Sequence, residues 1–201
     1  LNVISTLSGV HIYSMHLNLA AQAVQQGYEL SKHINYFPGQ TSFLINWAIC
    51  DFQRGRRGQC AQCLSLARSL LREHDHHIAL GYCALYEGKL AIDAGELMVG
   101  KSRLEEAISV AQAINDQELL GDAWSYYLDG AMRRASVVDA QRAIQAYESV
   151  RSRRDHWPAA YARWKWLQGE PVELDESRKG FGGLLTDIEV ARQQIIRGSY
   201  E

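Results

Sequence analysis

The sequence predicts an all-α chain, folded as a right-handed superhelix of antiparallel helical hairpins. Three observations predict it. Apolar residues recur with a helical period, only three prolines interrupt 201 residues, and short phrases return at the interval of a helical hairpin. Ala, Leu, Gln, Arg and Glu run throughout, and these residues lose little rotamer freedom in a helix. Nothing alternates with period two over a useful length, so no sheet is expected.

The recurring phrases are "CDFQRG" ending at Gly55, "CALYEG" at Gly88, "SYYLDG" at Gly130 and "KWLQG" at Gly169, spaced by 33, 42 and 39 residues. Each places bulky residues before a polar residue and a glycine. The first helical region is expected near 11–35, as one helix or two pieces, with a break before Phe37-Pro38-Gly39. A helix near 40–54 follows. The next, near 58–73, carries Cys60, Cys63, Leu64, Ala67 and Leu71 on one stripe, and another is expected near 76–95. In the helix near 101–114 the stripe is Leu104, Ala107, Ile108, Ala111 and Ile114. A helix near 117–133 precedes one near 137–152, whose stripe is Val137, Ala140, Ala143, Ile144, Tyr147 and Val150. Aligning Ala107-Ile108 with Ala143-Ile144 implies a repeat of 36 residues. A helix near 156–169 completes residues 1–169 as the repeat region. Proline, charges and glycines make 170–182 a linker, and residues 183–201 form a capping helix with Leu184, Ile188, Ala191 and Ile195 on one face.

Composition narrows the function. Apolar residues make up 47% and charged residues 22%, a folding rather than a disordered balance. A net charge of -2 and a pI near 6.4 argue against nucleic-acid binding and against an anionic membrane surface. No apolar run reaches membrane-spanning length, and no signal peptide is recognisable. The first residue, Leu1, reads as the start of a segment excised from a longer chain. Four cysteines, Cys50, Cys60, Cys63 and Cys83, sit among helix-forming apolar residues, as reduced thiols of a cytoplasmic protein do.

Paired helices with small residues at fixed places, as in "GELMVGKSRLEEAISVAQAI", resemble a degenerate tetratricopeptide repeat. Its first helix would be "IALGYCALYEGKLAIDA", with Gly81 and Tyr82 at the small and aromatic positions, and its second would carry Ala107. The proline that usually closes each repeat is missing. Over residues 25–197 the order "INWAICDFQRG … ALYEGKLAIDAGE … RLEEAISVAQAI … WPAAYARWKWLQGE … DIEVARQQ" is similar to the helical C-terminal region of bacterial STAND-class signal-transduction ATPases, transcriptional regulators among them, and of some adenylate cyclases. That resemblance implies a sensing or protein-binding scaffold, with nucleotide hydrolysis in a separate domain.

Several motifs have a second reading within this repeat frame. Gly95–Ser102, "GELMVGKS", matches the P-loop pattern, with Gly95, Gly100, Lys101 and Ser102 as its nucleotide-binding residues. A P-loop follows a buried strand, and "GKLAIDA" continues a helical pattern instead. The repeat frame makes Gly95 the end of one helix and Gly100 the turn, with Ser102 capping the next helix and Glu105 closing a capping box. Cys60, Cys63, His74 and His76 have ligand types that suit zinc, but the two cysteines lie on an apolar helical stripe. Arg54, Arg56 and Arg57, then Arg133 and Arg134, then Arg151, Arg153 and Arg154 are assigned to helix C-termini, where cations offset the helix dipole. Among Trp124, Tyr126, Tyr127, Trp157, Tyr161, Trp164 and Trp166, most are packing residues. Tyr126 and Trp164, with Arg133 and Arg134, are the partner-binding candidates. No catalytic constellation is recognisable, so no enzyme, cofactor or metal is expected. The expected role is a scaffold of a larger signalling or transcriptional regulator, binding a protein segment or an effector on its concave face. A nucleotide-binding fragment and a homodimerising structural module are the alternatives.

Overall fold

The computed structural model describes residues 1–74, 76–151, 163–165 and 167–168. Among them every regular element is a helix: α1 (Asn2–Tyr13), α2 (Leu17–His33), α3 (Phe37–Gln53), α4 (Arg57–Leu71), α5 (His77–Asp93), α6 (Leu97–Ala113), α7 (Gln117–Arg133) and α8 (Val137–Arg151). No described helix is long and apolar enough to cross a membrane. Of the expected helix near 156–169, residues 163–165 and 167 are helical and 168 is in a turn; its other residues, the expected helix near 183–197, the linker 170–182, and Arg153, Arg154, Trp157, Tyr161 and Trp166 lie outside the described residues. The chain forms two compact units, Leu1–Ala123 and Trp124–Glu201, and the division falls inside α7.

The interval between helices is constant. From α2 onward they begin at Leu17, Phe37, Arg57, His77, Leu97, Gln117 and Val137, twenty residues apart each time. Two helices therefore make a unit of forty residues, not the 36 that the alanine-isoleucine pairs imply. A shift of 36 is about ten turns at about 3.6 residues each, so any amphipathic stripe matches itself there. The glycines of the recurring phrases are accordingly not equivalent: Gly55 lies in a turn, whereas Gly88 and Gly130 lie inside α5 and α7.

The turns explain the constancy. Met15, Asn35, Gly55, Gly95, Asn115 and Ala135 have left-handed backbone, with φ between 53° and 83°. In each turn the following amide donates to the carbonyl five residues back, as Arg56 does to Asp51 at 2.8 Å and Glu96 to Ala91 at 2.8 Å. This is the Schellman closure, which satisfies the last helical carbonyls and reverses the chain in three residues. Gly95 is thus helix punctuation, as expected. Asp116 then starts α7, its side chain accepting from the amides of Glu118 at 2.9 Å and Leu119 at 3.0 Å.

Other details differ from the sequence-based expectations. Gly100 and Ser102 are inside α6, which begins at Leu97 behind Glu96, so neither the turn at Gly100 nor the Ser102 cap forms. Phe37-Pro38 opens α3 with proline in the first turn, where its missing N–H leaves no helical bond unmade. Arg54 does close α3, but Arg56 and Arg57 open α4, the end where cations are disfavoured. Their compensation is local. Arg57 pairs with Asp93 at 3.1 Å and lies 3.7 Å from the centre of the Phe52 ring. Val137, placed on the α8 stripe, is exposed, while Ala140, Ala143, Tyr147 and Val150 are buried.

In the first unit, successive helices pack on one another and α1–α3 and α3–α5 also touch. Positions forty apart recur in the core: Ala20, Cys60 and Gly100; Val24, Leu64 and Leu104; Gly27, Ala67 and Ala107. Each fully buried Leu or Phe contributes about 1.5–3 kcal/mol. In the second unit the Tyr127 hydroxyl donates to Asp139 at 3.1 Å, and the Trp124 and Tyr127 rings meet edge to face at 5.4 Å.

One core position breaks the pattern. Where Ala91 and Ala131 are buried forty and eighty residues on, Asp51 is buried, and its Oδ1 has no hydrogen-bond partner. Burial raises its pKa above the ordinary 3.8, and Arg56 at 3.9 Å offsets that only in part. The folded state therefore disfavours the ionised form, a penalty absent well below pH 3.8 and complete above the raised value. Asp51→Ala is expected to raise stability by about 1–2 kcal/mol at pH 7 in urea titrations. The gain should shrink as the pH falls toward the ordinary carboxylate range.

Candidate functional site

An open groove of about 470 Å³ runs across α4, α5 and α6 in the first unit. Leu64, Leu90, Ala91 and Val99 give it apolar surface, and Arg68, Arg72, Glu87, Glu96 and Arg103 give it charge. The turn at Ala94–Glu96 brings α6 back beside α5, and α4 also packs on α5.

Three groove-lining side chains, Arg68, Glu87 and Arg103, join Glu106 in a four-membered ion network. The Arg68 guanidinium, on α4, donates to Glu87 on α5 at 2.5 and 3.2 Å and to Glu106 on α6 at 2.6 and 3.3 Å. Arg103 reaches the same two carboxylates at 3.3 and 3.0 Å. Two cations balance two anions, and Arg68 is only 15% exposed at its side chain. Burial works against the Arg68 charge, but the hydrogen bonds to Glu87 and Glu106 hold its pKa above the ordinary 12.5. For Glu106, burial alone would raise the pKa, yet the bonds from Arg68 and Arg103 hold it below 4.5. Forked guanidinium-to-carboxylate bonds fix orientation as well as charge, so three helices are pinned at one point.

Cys83 is buried with its Sγ 3.6 Å from Glu87, and burial together with that carboxylate pushes its pKa to about 12. Burial likewise pushes Cys50 and Cys60 to about 12 and Cys63 to about 11. Thiols so raised are not nucleophiles at neutral pH.

The zinc alternative is dispersed. Cys60 is fully buried, the His74 ring stacks on Phe37 at 3.9 Å, and His76 Nδ1 shares a hydrogen bond with Thr41 Oγ1 at 2.9 Å. Burial, then the neighbouring His77, lowers the His76 pKa. No group of three or more His, Cys, Asp and Glu among the described residues is placed to hold a metal ion.

The partner-binding candidates lie in the second unit, not in the groove. Tyr126 is half-buried on α7, Arg133 pairs with Asp129 at 2.9 Å, and Arg134 pairs with Asp139 at 2.8 Å. Trp164 is half-buried beside Arg163, which donates to Asp129 at 3.0 Å. Of the nucleotide candidates, Gly95 has φ +83°, Gly100 is buried at a helix crossing, and Lys101 and Ser102 lie in the first turns of α6.

Sequence reasoning missed the groove. The signal was the forty-residue register, in which Arg68 and Glu87 occupy the places of Tyr28 and Trp47. Those two rings meet edge to face at 6.3 Å between α2 and α3, so an aromatic pair in one hairpin contact is an ion pair in the next. No protein-family model matches the chain, and no curated protein matches it.

Proposed function

We propose that the chain is a non-catalytic helical-repeat scaffold of the tetratricopeptide type, a right-handed superhelix serving as the sensing domain of a larger signalling or transcriptional regulator. Its ligand is a protein segment, which lies in the α4–α6 groove. The observation that carries the proposal is the groove itself: an apolar strip along a neutral, internally satisfied charge network. A network of that kind, already paired within itself, orients a partner without reorganising, which limits the entropic penalty of binding. One apolar anchor of the segment would sit against Leu90 and Val99, and its backbone or polar flanks would meet Arg72 and Glu96 at the rim. Occupation of the groove would favour one arrangement of the helices and so bias the state of the regulator.

Val99 is 51% exposed, so its replacement leaves the core intact. Peptides selected from a random library on the wild-type chain should bind at least about tenfold more weakly to Val99→Glu, a loss of about 1.4 kcal/mol. Peptides that bind both chains equally would count against the groove. Saturable binding of a labelled ATP analogue, lost in Lys101→Ala, would contradict the proposal altogether.

A further inference from the structure

The exposed face of α1 carries the register of an internal packing surface. Val3, Leu7 and Val10 are 79%, 47% and 54% exposed and lie three or four residues apart, on one side of the helix. Forty residues on, the same positions are Phe43, Trp47 and Cys50; eighty residues on, they are Cys83, Glu87 and Leu90.

Each of these internal positions packs against the preceding hairpin. Phe43 fills the space that a β-carbon on Gly27 of α2 would need, and Trp47 meets Tyr28 of α2. Cys50 is buried with Ile12 of α1 and Ala20 of α2. One repeat later, Cys83 Sγ donates to the Leu64 carbonyl of α4, Glu87 pairs with Arg68 of α4, and Leu90 packs on the core cluster containing Leu64 and Ala67. The other side of α1 is used as expected, with Ser8 and Ile12 buried.

We infer that the Val3–Leu7–Val10 face is a docking surface for one amphipathic helix that continues the array ahead of α1. The partner helix bears a stripe of small and aliphatic residues spaced like Ala20, Val24, Gly27 and Ser31, the stripe that α2 buries. Continuity with the α2–α3 and α4–α5 contacts selects this occupant, because Val3 and Leu7 are apolar at the two positions that touch the preceding helix in both.

A chain with a copy of residues 17–40 fused ahead of Leu1 supplies that helix in the forty-residue register. Its Tm should rise by about 5 °C, with α1 amides at least about tenfold slower to exchange. Leu7→Asp should leave the parent chain's Tm within about 1 °C, since Leu7 is half exposed, and should abolish both gains in the fused chain. No gain in the fused chain, or a gain that survives Leu7→Asp, would overturn the inference. A parent-chain dimer that Leu7→Asp dissociates would also overturn it, by assigning the face to a second copy.

Discussion

Gly100→Val is expected to destabilise the first unit by about 3 kcal/mol, while Lys101→Ala changes stability by no more than about 0.5 kcal/mol. A β-carbon on Gly100 would lie 3.0 Å from the Gly88 carbonyl oxygen, 3.2 Å from the Ile92 nitrogen and 2.6 Å from Ile92 Cγ1. Two of those atoms are backbone and cannot rotate aside. The approach is mutual, because a β-carbon on Gly88 would meet the Gly100 oxygen at 3.2 Å and Leu104 Cγ at 2.8 Å. Any side chain at the crossing therefore forces α5 and α6 apart and opens the contact that includes Ile92 and Leu104. Gly100→Ala should lose less, about 1 kcal/mol, because alanine recovers about 1 kcal/mol of helix propensity. Urea midpoints followed by circular dichroism, at constant m, measure all three variants. A phosphate-binding loop would give another pattern: Gly100 and Lys101 variants alike impaired in nucleotide binding, with little change in stability.

Arg68→Ala is expected to lower stability by about 2–3 kcal/mol at pH 7. It leaves Glu87 and Glu106, 19% and 31% exposed at their side chains, facing each other with only Arg103 between them. Arg68→Lys should recover only part of the loss, since one ammonium cannot fork to both carboxylates. The pH dependence carries the sign of the effect. Glu106 has a folded pKa below its ordinary 4.5, so its contribution is full above pH 4.5 and is lost as the pH falls through the lower folded value. Wild type should therefore lose stability on acidification in that window. In Arg68→Ala the Glu106 contribution should flatten, because burial then acts on the carboxylate with only one cation left to oppose it.

The helical class, the stripes of α4 and α6 and the helix end at Gly95 were legible in the sequence, because each rests on local periodicity or on a backbone position that glycine tolerates. The period was not. Stripes such as Leu104–Ala107–Ile108–Ala111 match themselves every few turns, and only the turns fix the true interval. Those turns are sequence-degenerate: glycine at 55 and 95, asparagine at 35 and 115, but methionine at 15 and alanine at 135. Gly100 was misassigned for a related reason. A glycine required for close helix approach has the same letter as one required for a left-handed turn, and tertiary contact alone separates them. The ion network was hidden because Arg68, Glu87 and Glu106 come from three helices, and each alone reads as a solvated helical charge.

The constant helix-turn-helix spacing can be checked in residues 89–105, which span one helix end, one turn and one helix start. Amide hydrogen exchange read residue by residue across that segment should show a protected α5, a turn at Ala94–Glu96, and protection from Gly100 onward, whose amide donates to Glu96 at 2.9 Å. Adding ATP should leave the profile unchanged. Unprotected amides through Gly95–Ser102 that become protected when ATP is added would contradict that spacing, because they would mark a phosphate-binding loop in place of the first turn of α6.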